Sequence, residues 1–135
     1  MTQPLAGKQI LIVEDEPVFR SLMDSWLSSL GAKTLVAQDG VDALAQMALQ
    51  KPDLMICDLA MPRMNGLQLV EHVRNAGEQI PILIISATEN MADIAKALRL
   101  GVQDVLLKPV KDLTRLRETV LACLYPNMFN SRVEE

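Results

Sequence analysis

Apolar positions in this chain fall into two kinds of run. The short ones are continuous: Gln9 to Val13 (QILIV), Thr34 to Ala37 (TLVA), Leu54 to Cys57 (LMIC), Ile82 to Ile85 (ILII) and Val105 to Leu107 (VLL). A strand covered on one face alternates apolar with polar residues. Continuous apolar runs mark parallel strands covered on both faces.

Between these runs, apolar residues recur at spacings of three and four, the period of a helix with one buried stripe. Phe19, Leu22, Met23, Trp26 and Leu30 make one stripe. It is opened by Pro17 at a first helical position and closed by Gly31. Asp39-Gly40 precedes a helix through Ala43, Leu44 and Met47, and Asn65-Gly66 one through Leu67, Leu69, Val70 and Val73. Glu89-Asn90 precedes a helix through Met91, Ile94, Ala95 and Leu98 that Gly101 closes. Asp112 caps the last, through Leu113, Leu116, Val120 and Leu124. Strand and helix alternate five times. The pattern predicts an α/β fold, a single (βα)5 doubly wound parallel sheet with right-handed crossovers. Residues 8–124 are expected to form that domain and residues 1–7 an N-terminal tail. Residues 125–135, rich in poor helix formers and then charged, read as a linker or the start of a helix toward a further domain.

Composition narrows the function. The 135 residues carry 13 Lys+Arg against 17 Asp+Glu, a formal charge of −4, with 3% aromatics. Nucleic-acid binding draws on basic side chains and stacking rings, so direct contact with nucleic acid is not expected. No apolar run approaches the roughly 18 residues of a membrane span, and the first residues lack a secretory pattern. Cys57 and Cys123 sit within apolar segments at no metal-type spacing, as buried reduced thiols of a cytoplasmic protein would.

In such sheets ligands bind beyond the carboxyl ends of the strands. The residues just past each predicted strand end are Glu14 and Asp15, then Asp58, Ser86 and Lys108. Taken singly, each has an ordinary explanation as a solvated loop, a turn or a cap. Gathered at one edge, three carboxylates repel and would force one to take up a proton. A divalent cation relieves that, and hard oxygen donors suit Mg²⁺. An aspartate beside a metal, a lysine and a hydroxyl can act as a nucleophile toward a phosphoryl group. Such transfer needs positioning and charge neutralisation more than covalent machinery.

The segments ILIVEDE (10–16), PDLMICDLAMPRMNG (52–66), ISA (85–87) and LLKP (106–109) resemble the receiver domain of two-component response regulators. The resemblance implies the flavodoxin-like strand order 2-1-3-4-5. It implies that Asp58 is phosphorylated by a histidine kinase or a small acyl phosphate. Asp15, Asp58 and the Ala60 backbone carbonyl would bind Mg²⁺ directly, and Glu14 through water. Ser86 and Lys108 would contact the phosphoryl group, and the Lys108–Pro109 peptide would be cis. The 89–124 face would serve as a dimer or partner surface. Segments 1–16, 61–67, 86–102 and 127–135 further resemble adaptors of this family that hand the stationary-phase sigma factor, sigma-S, to the ClpXP protease. That likeness implies sigma-S, ClpXP and anti-adaptor proteins as partners.

Two positions depart from the family pattern. Val105 stands where a Tyr or Phe often precedes the lysine by three residues, and Glu14 stands where Asp is usual. The rival readings are weaker. A haloacid-dehalogenase-type phosphatase needs an acid two residues after its nucleophile, and Ala60 is there. A flavin binder of the same fold would not place Glu14, Asp15 and Glu16 against a phosphate. A pseudo-receiver serving only for interaction or dimerisation would have no need of all five site residues.

Overall fold

The computed structural model describes residues 3–129. Five strands, β1 (Gln9–Val13), β2 (Lys33–Ala37), β3 (Leu54–Cys57), β4 (Ile82–Ser86) and β5 (Asp104–Leu107), form one parallel sheet in the order β2-β1-β3-β4-β5. The connecting helices are α1 (Pro17–Ser29), α2 (Gly40–Leu49), α3 (Gly66–Asn75) and α4 (Met91–Arg99). Helix α5 (Leu113–Leu124) follows β5, and a single turn, α6 (Pro126–Phe129), follows α5.

Side chains of the central strands alternate between two cores. Leu11, Val13, Met55, Cys57, Ile82 and Ile84 meet α2, α3 and α4 on one face. Ile10, Ile12, Leu54, Ile56, Leu83 and Ile85 meet α1 and α5 on the other. Both faces being covered, β1, β3 and β4 are buried at every position. The edge strands β2 and β5 are buried only in part. Among the described residues no helix is long and apolar enough to cross a membrane.

The segments flanking 8–124 pack against the domain. In the segment before β1, Leu5 is 1% exposed and sits in the α1–α5 core. Its N–H donates to Leu30 O at 3.0 Å, closing a turn against the end of α1. Tyr125, beyond the predicted end, donates its hydroxyl to Pro4 O at 3.4 Å and stacks under Lys8, Nζ 5.1 Å from the ring centroid. Pro126 opens α6, the first-turn position a proline tolerates. The remainder of the expected linker, 130–135, lies outside the described residues.

The helical stripes are narrower than the spacing predicts. On α1 the buried residues are Met23 and Leu27, while Leu22 is 63% exposed. On α4 the buried residue is Ala97, and Met91 and Leu98 face outward. Met64 is half-buried against Gly40, where an added Cβ would meet Met64 Cγ at 2.7 Å.

Candidate functional site

Backbone pairing continues one residue past the strands and sets the site. Glu14 N–H donates to Ala37 O at 2.9 Å, Asp58 N–H to Val13 O at 3.1 Å, and Lys108 N–H to Ser86 O at 2.9 Å. Glu14, Asp58, Ser86 and Lys108 are thereby held in one row across the carboxyl edge.

Their side chains converge. Ser86 Oγ donates to Asp58 Oδ1 at 2.6 Å, and Ala60 N–H donates to the same oxygen at 3.1 Å. Lys108 Nζ donates to Asp58 Oδ2 at 3.0 Å and to Glu14 Oε1 at 2.6 Å. Glu16 N–H donates to Glu14 Oε2 at 3.1 Å. Asp58, Glu14 and Ser86 are buried, whereas Asp15 is exposed at the rim. One carboxylate oxygen from each of Glu14, Asp15 and Asp58 lies within 4.8 Å of the others. The Lys108–Pro109 peptide is cis.

Electrostatics follow from this packing. Burial raises the pKa of Glu14, and the hydrogen bond from Lys108 offsets part of that. Burial pulls the Lys108 pKa down, but the hydrogen bonds to Glu14 and Asp58 outweigh it and the net shift is upward. Lys108 therefore stays an ammonium at neutral pH, one positive charge against three acids. The thiols are chemically quiet: burial raises the pKa of Cys57, and that of Cys123 to about 12.

The loop carrying Asp58 into α3 is braced from two sides. Gly66 approaches so closely that an added Cβ would sit 2.0 Å from Asp58 O. Arg63, in the left-handed region at φ 62°, sends Nε to Asp39 Oδ2 at 2.7 Å and Nη2 to the same oxygen at 2.5 Å. Gly40 N–H donates to Met64 O at 3.2 Å. Asp39 also caps α2 by accepting from Asp42 N–H at 2.9 Å. That hydrogen bond, then the Arg63 guanidinium, holds its carboxyl below the usual range.

Every side chain expected at the edge is there: Glu14, Asp15, Asp58, Ser86 and Lys108 lie together, with the Ala60 backbone beside Asp58. Sequence reading missed what four residues contribute. Glu16 caps α1, accepting from Val18 N–H at 3.1 Å and Phe19 N–H at 2.6 Å. Asp39 and Arg63 form a brace between residues far apart in sequence. Phe19, read only as part of an apolar stripe, places its ring centroid 4.4 Å from Lys108 Nζ.

The pattern that defines the response regulator receiver domain matches residues 10–121. The chain belongs to the response regulator receiver domain family. Solved receiver domains share the fold and part of the sequence. The receiver protein of Pseudomonas putida is 33% identical with a TM-score of 0.78, over 85% of this chain and 96% of that one. The receiver domain of NtrX from Brucella abortus is 32% identical with a TM-score of 0.79, over 85% and 97%. Among curated proteins this receiver domain is similar to the Regulator of RpoS of Escherichia coli strain K12, 78% identical over all 135 residues. The chain spans 40% of that relative's length.

Proposed function

We propose that Asp58 is a phosphoryl acceptor and that its phosphorylation switches protein–protein binding. The observation that carries this reading is the pairing of Asp58: one carboxylate oxygen faces Ser86 and the Ala60 N–H, the other faces Lys108. The Ser86 and Lys108 side chains can pass from the carboxylate to phosphoryl oxygens without leaving the edge.

In the transfer, an Asp58 carboxylate oxygen attacks phosphorus. The bond from phosphorus to its donor breaks, and the leaving group departs as an imidazole from a histidine kinase or as the carboxylate of a small acyl phosphate. Lys108 exchanges Asp58 for a phosphoryl oxygen, and Ser86 donates to another. The donor set suits Mg²⁺: three carboxylates with clustered oxygens face a single ammonium, and all the ligands are hard oxygens. Asp15, Asp58 and the Ala60 carbonyl would hold the ion, with Glu14 acting through water. Bound there, it would supply neutralisation of the phosphoryl charge. Ala60, two residues past the acceptor, offers no acid or base, which supports a stored signal rather than a turnover phosphatase.

The aspartyl phosphate adds roughly −1.5 to −2 charge. Ser86 moving toward it would draw the loop after β4 and shift α4. The likeness to the Regulator of RpoS favours an adaptor role in the cytoplasm. There the receiver would govern the binding of sigma-S for delivery to ClpXP, with anti-adaptor proteins competing. A second reading, a dimer or partner surface on the 89–124 face, is favoured by the exposure of Met91, Leu98 and Leu107 there.

The test is intact mass after incubation with acetyl phosphate. One added phosphoryl group is expected in the presence of Mg²⁺, and none with a chelator or in Asp58→Asn. Addition that survives Asp58→Asn would overturn the assignment.

A further inference from the structure

Lys108 has a third neighbour that the proposed chemistry does not use. Phe19 lies in the first turn of α1, where Pro17 and the Glu16 cap fix the backbone. Its N–H is bonded to Glu16 Oε2 at 2.6 Å, so the helix start fixes the backbone from which the ring projects. The ring centroid lies 4.4 Å from Lys108 Nζ, well inside the range of cation–π attraction. The Lys108 side chain is only 18% exposed, so that attraction acts with little competing water.

The two kinds of partner differ in what they permit. A carboxylate accepts along directed hydrogen bonds and holds the ammonium in place. A ring face attracts it without a fixed direction, and lets it pass from one oxygen to another while still partnered. Lys108 must make such a passage, from Glu14 and Asp58 to a phosphoryl oxygen.

The same ring also lines a cleft of about 270 Å³ between α1 and α5, with Leu22, Met23, Trp26, Val110, Leu113 and Leu116. Trp26 is the chain's one tryptophan. On the β5 side of the site, Val105 has no ring with which to follow Lys108. An aromatic stands on the α1 side instead.

We propose that Phe19 is a positioning residue for phosphotransfer: its ring steers the Lys108 ammonium as it moves to the phosphoryl group, and carries that movement into the α1–α5 cleft. This rests on the reading of Asp58 as the acceptor.

The experiment compares the wild-type chain with Phe19→Leu, which keeps apolar bulk without a ring, and Phe19→Tyr, which restores a ring. In the wild type, the Lys108 Hε protons should be displaced upfield by the ring current. That displacement should vanish in Phe19→Leu and return in Phe19→Tyr. The maximal rate of phosphorylation by acetyl phosphate should fall roughly 3- to 30-fold in Phe19→Leu, the range open to one partly buried cation–π contact. The half-saturating acetyl phosphate concentration should stay unchanged, and Phe19→Tyr should recover the rate. Mg²⁺ with beryllofluoride, an acyl-phosphate mimic, should alter Trp26 emission in the wild type and Phe19→Tyr but not in Phe19→Leu.

Wild-type Lys108 protons at the positions of an exposed lysine would overturn the contact without recourse to any variant. A full phosphorylation rate in Phe19→Leu would overturn the role of Phe19 while leaving Asp58 as acceptor. A wild-type chain that takes up no phosphoryl group would remove the Asp58 reading, and this one with it.

Discussion

Helices α3 and α4 lie side by side on one face of the sheet and are held in different ways. Helix α3 follows the loop of Asp58. Its start is locked by a capping box, with Asn65 Oδ1 accepting from Gln68 N–H at 2.9 Å and Gln68 Oε1 accepting from Asn65 N–H at 3.0 Å. It buries Gly66, Leu69, Val70 and Val73. Helix α4 follows the loop of Ser86 and buries Ala97 alone among its residues, with Met91 and Leu98 outside. The helix behind the acceptor is anchored, and the helix behind the hydroxyl is lightly seated. A displacement that starts at Ser86 therefore meets little packing to undo.

The hold on α4 is concentrated at its far end. Arg74 of α3 donates to Leu100 O at 2.8 Å and Gly101 O at 3.1 Å, and also to Glu78 O and Ile80 O. Near mid-helix the tie is the ion pair Lys96–Glu71 at 3.3 Å, with both side chains about two-fifths exposed. Such a helix is pinned to α3 where it ends, whereas its start is held by its own Asn90 cap, which accepts from Ala92 N–H at 3.0 Å and Asp93 N–H at 3.2 Å, and by Thr88 N–H donating to Ser86 Oγ at 3.3 Å. On the proposed reading, Ser86 acts on that locally held end.

Breaking the anchored helix should have the largest effect. Leu69→Ala removes a fully buried side chain of α3 and should cost about 2–5 kcal/mol, read by urea unfolding. Arg74→Ala leaves carbonyls at the end of α4 without their donor. It should cost about 1–3 kcal/mol and speed hydrogen exchange around residues 97–102, with less change at the start of α4.

The loop entering α3 supplies a test through pH. The Asp39 carboxyl is lowered by the Asp42 N–H and by Arg63, so it binds protons less readily folded than unfolded. Its stabilisation is full above the unfolded value, about pH 4, and is lost as pH falls through the folded value. Asp39→Asn should flatten that acid limb of the stability curve and leave the neutral-to-alkaline slope alone. The smallest effect belongs to Lys96→Ala, which removes an exposed pair and should cost no more than about 0.5 kcal/mol. A larger loss there would mean that α4 is gripped along its length.

What could be read from sequence follows from the same physics. Five continuous apolar runs specify a sheet covered on both faces, and strand ends then place Glu14, Asp58, Ser86 and Lys108 at one edge. Periodicity names the inward face of a helix but not how closely its neighbour approaches. It therefore took Leu22, Leu98 and Met91 for core, whereas the structure buries Leu27 and Ala97. Leu5 lay in a segment with no period, and only the turn against Leu30 makes it core. The Asp39–Arg63 brace spans 24 residues and needs a left-handed backbone at Arg63, which no local pattern announces. Phe19 fitted its stripe so well that its place beneath Lys108 was hidden.

The identity of Asp58 as the acceptor is tested most directly by borohydride. Borohydride reduces an aspartyl phosphate to homoserine and leaves a free carboxylate untouched. After phosphorylation by acetyl phosphate with Mg²⁺, reduction and peptide sequencing, homoserine is predicted at position 58 and at no other. Homoserine at 14 or 15, or none at 58 in a chain that has gained a phosphoryl group, would contradict it.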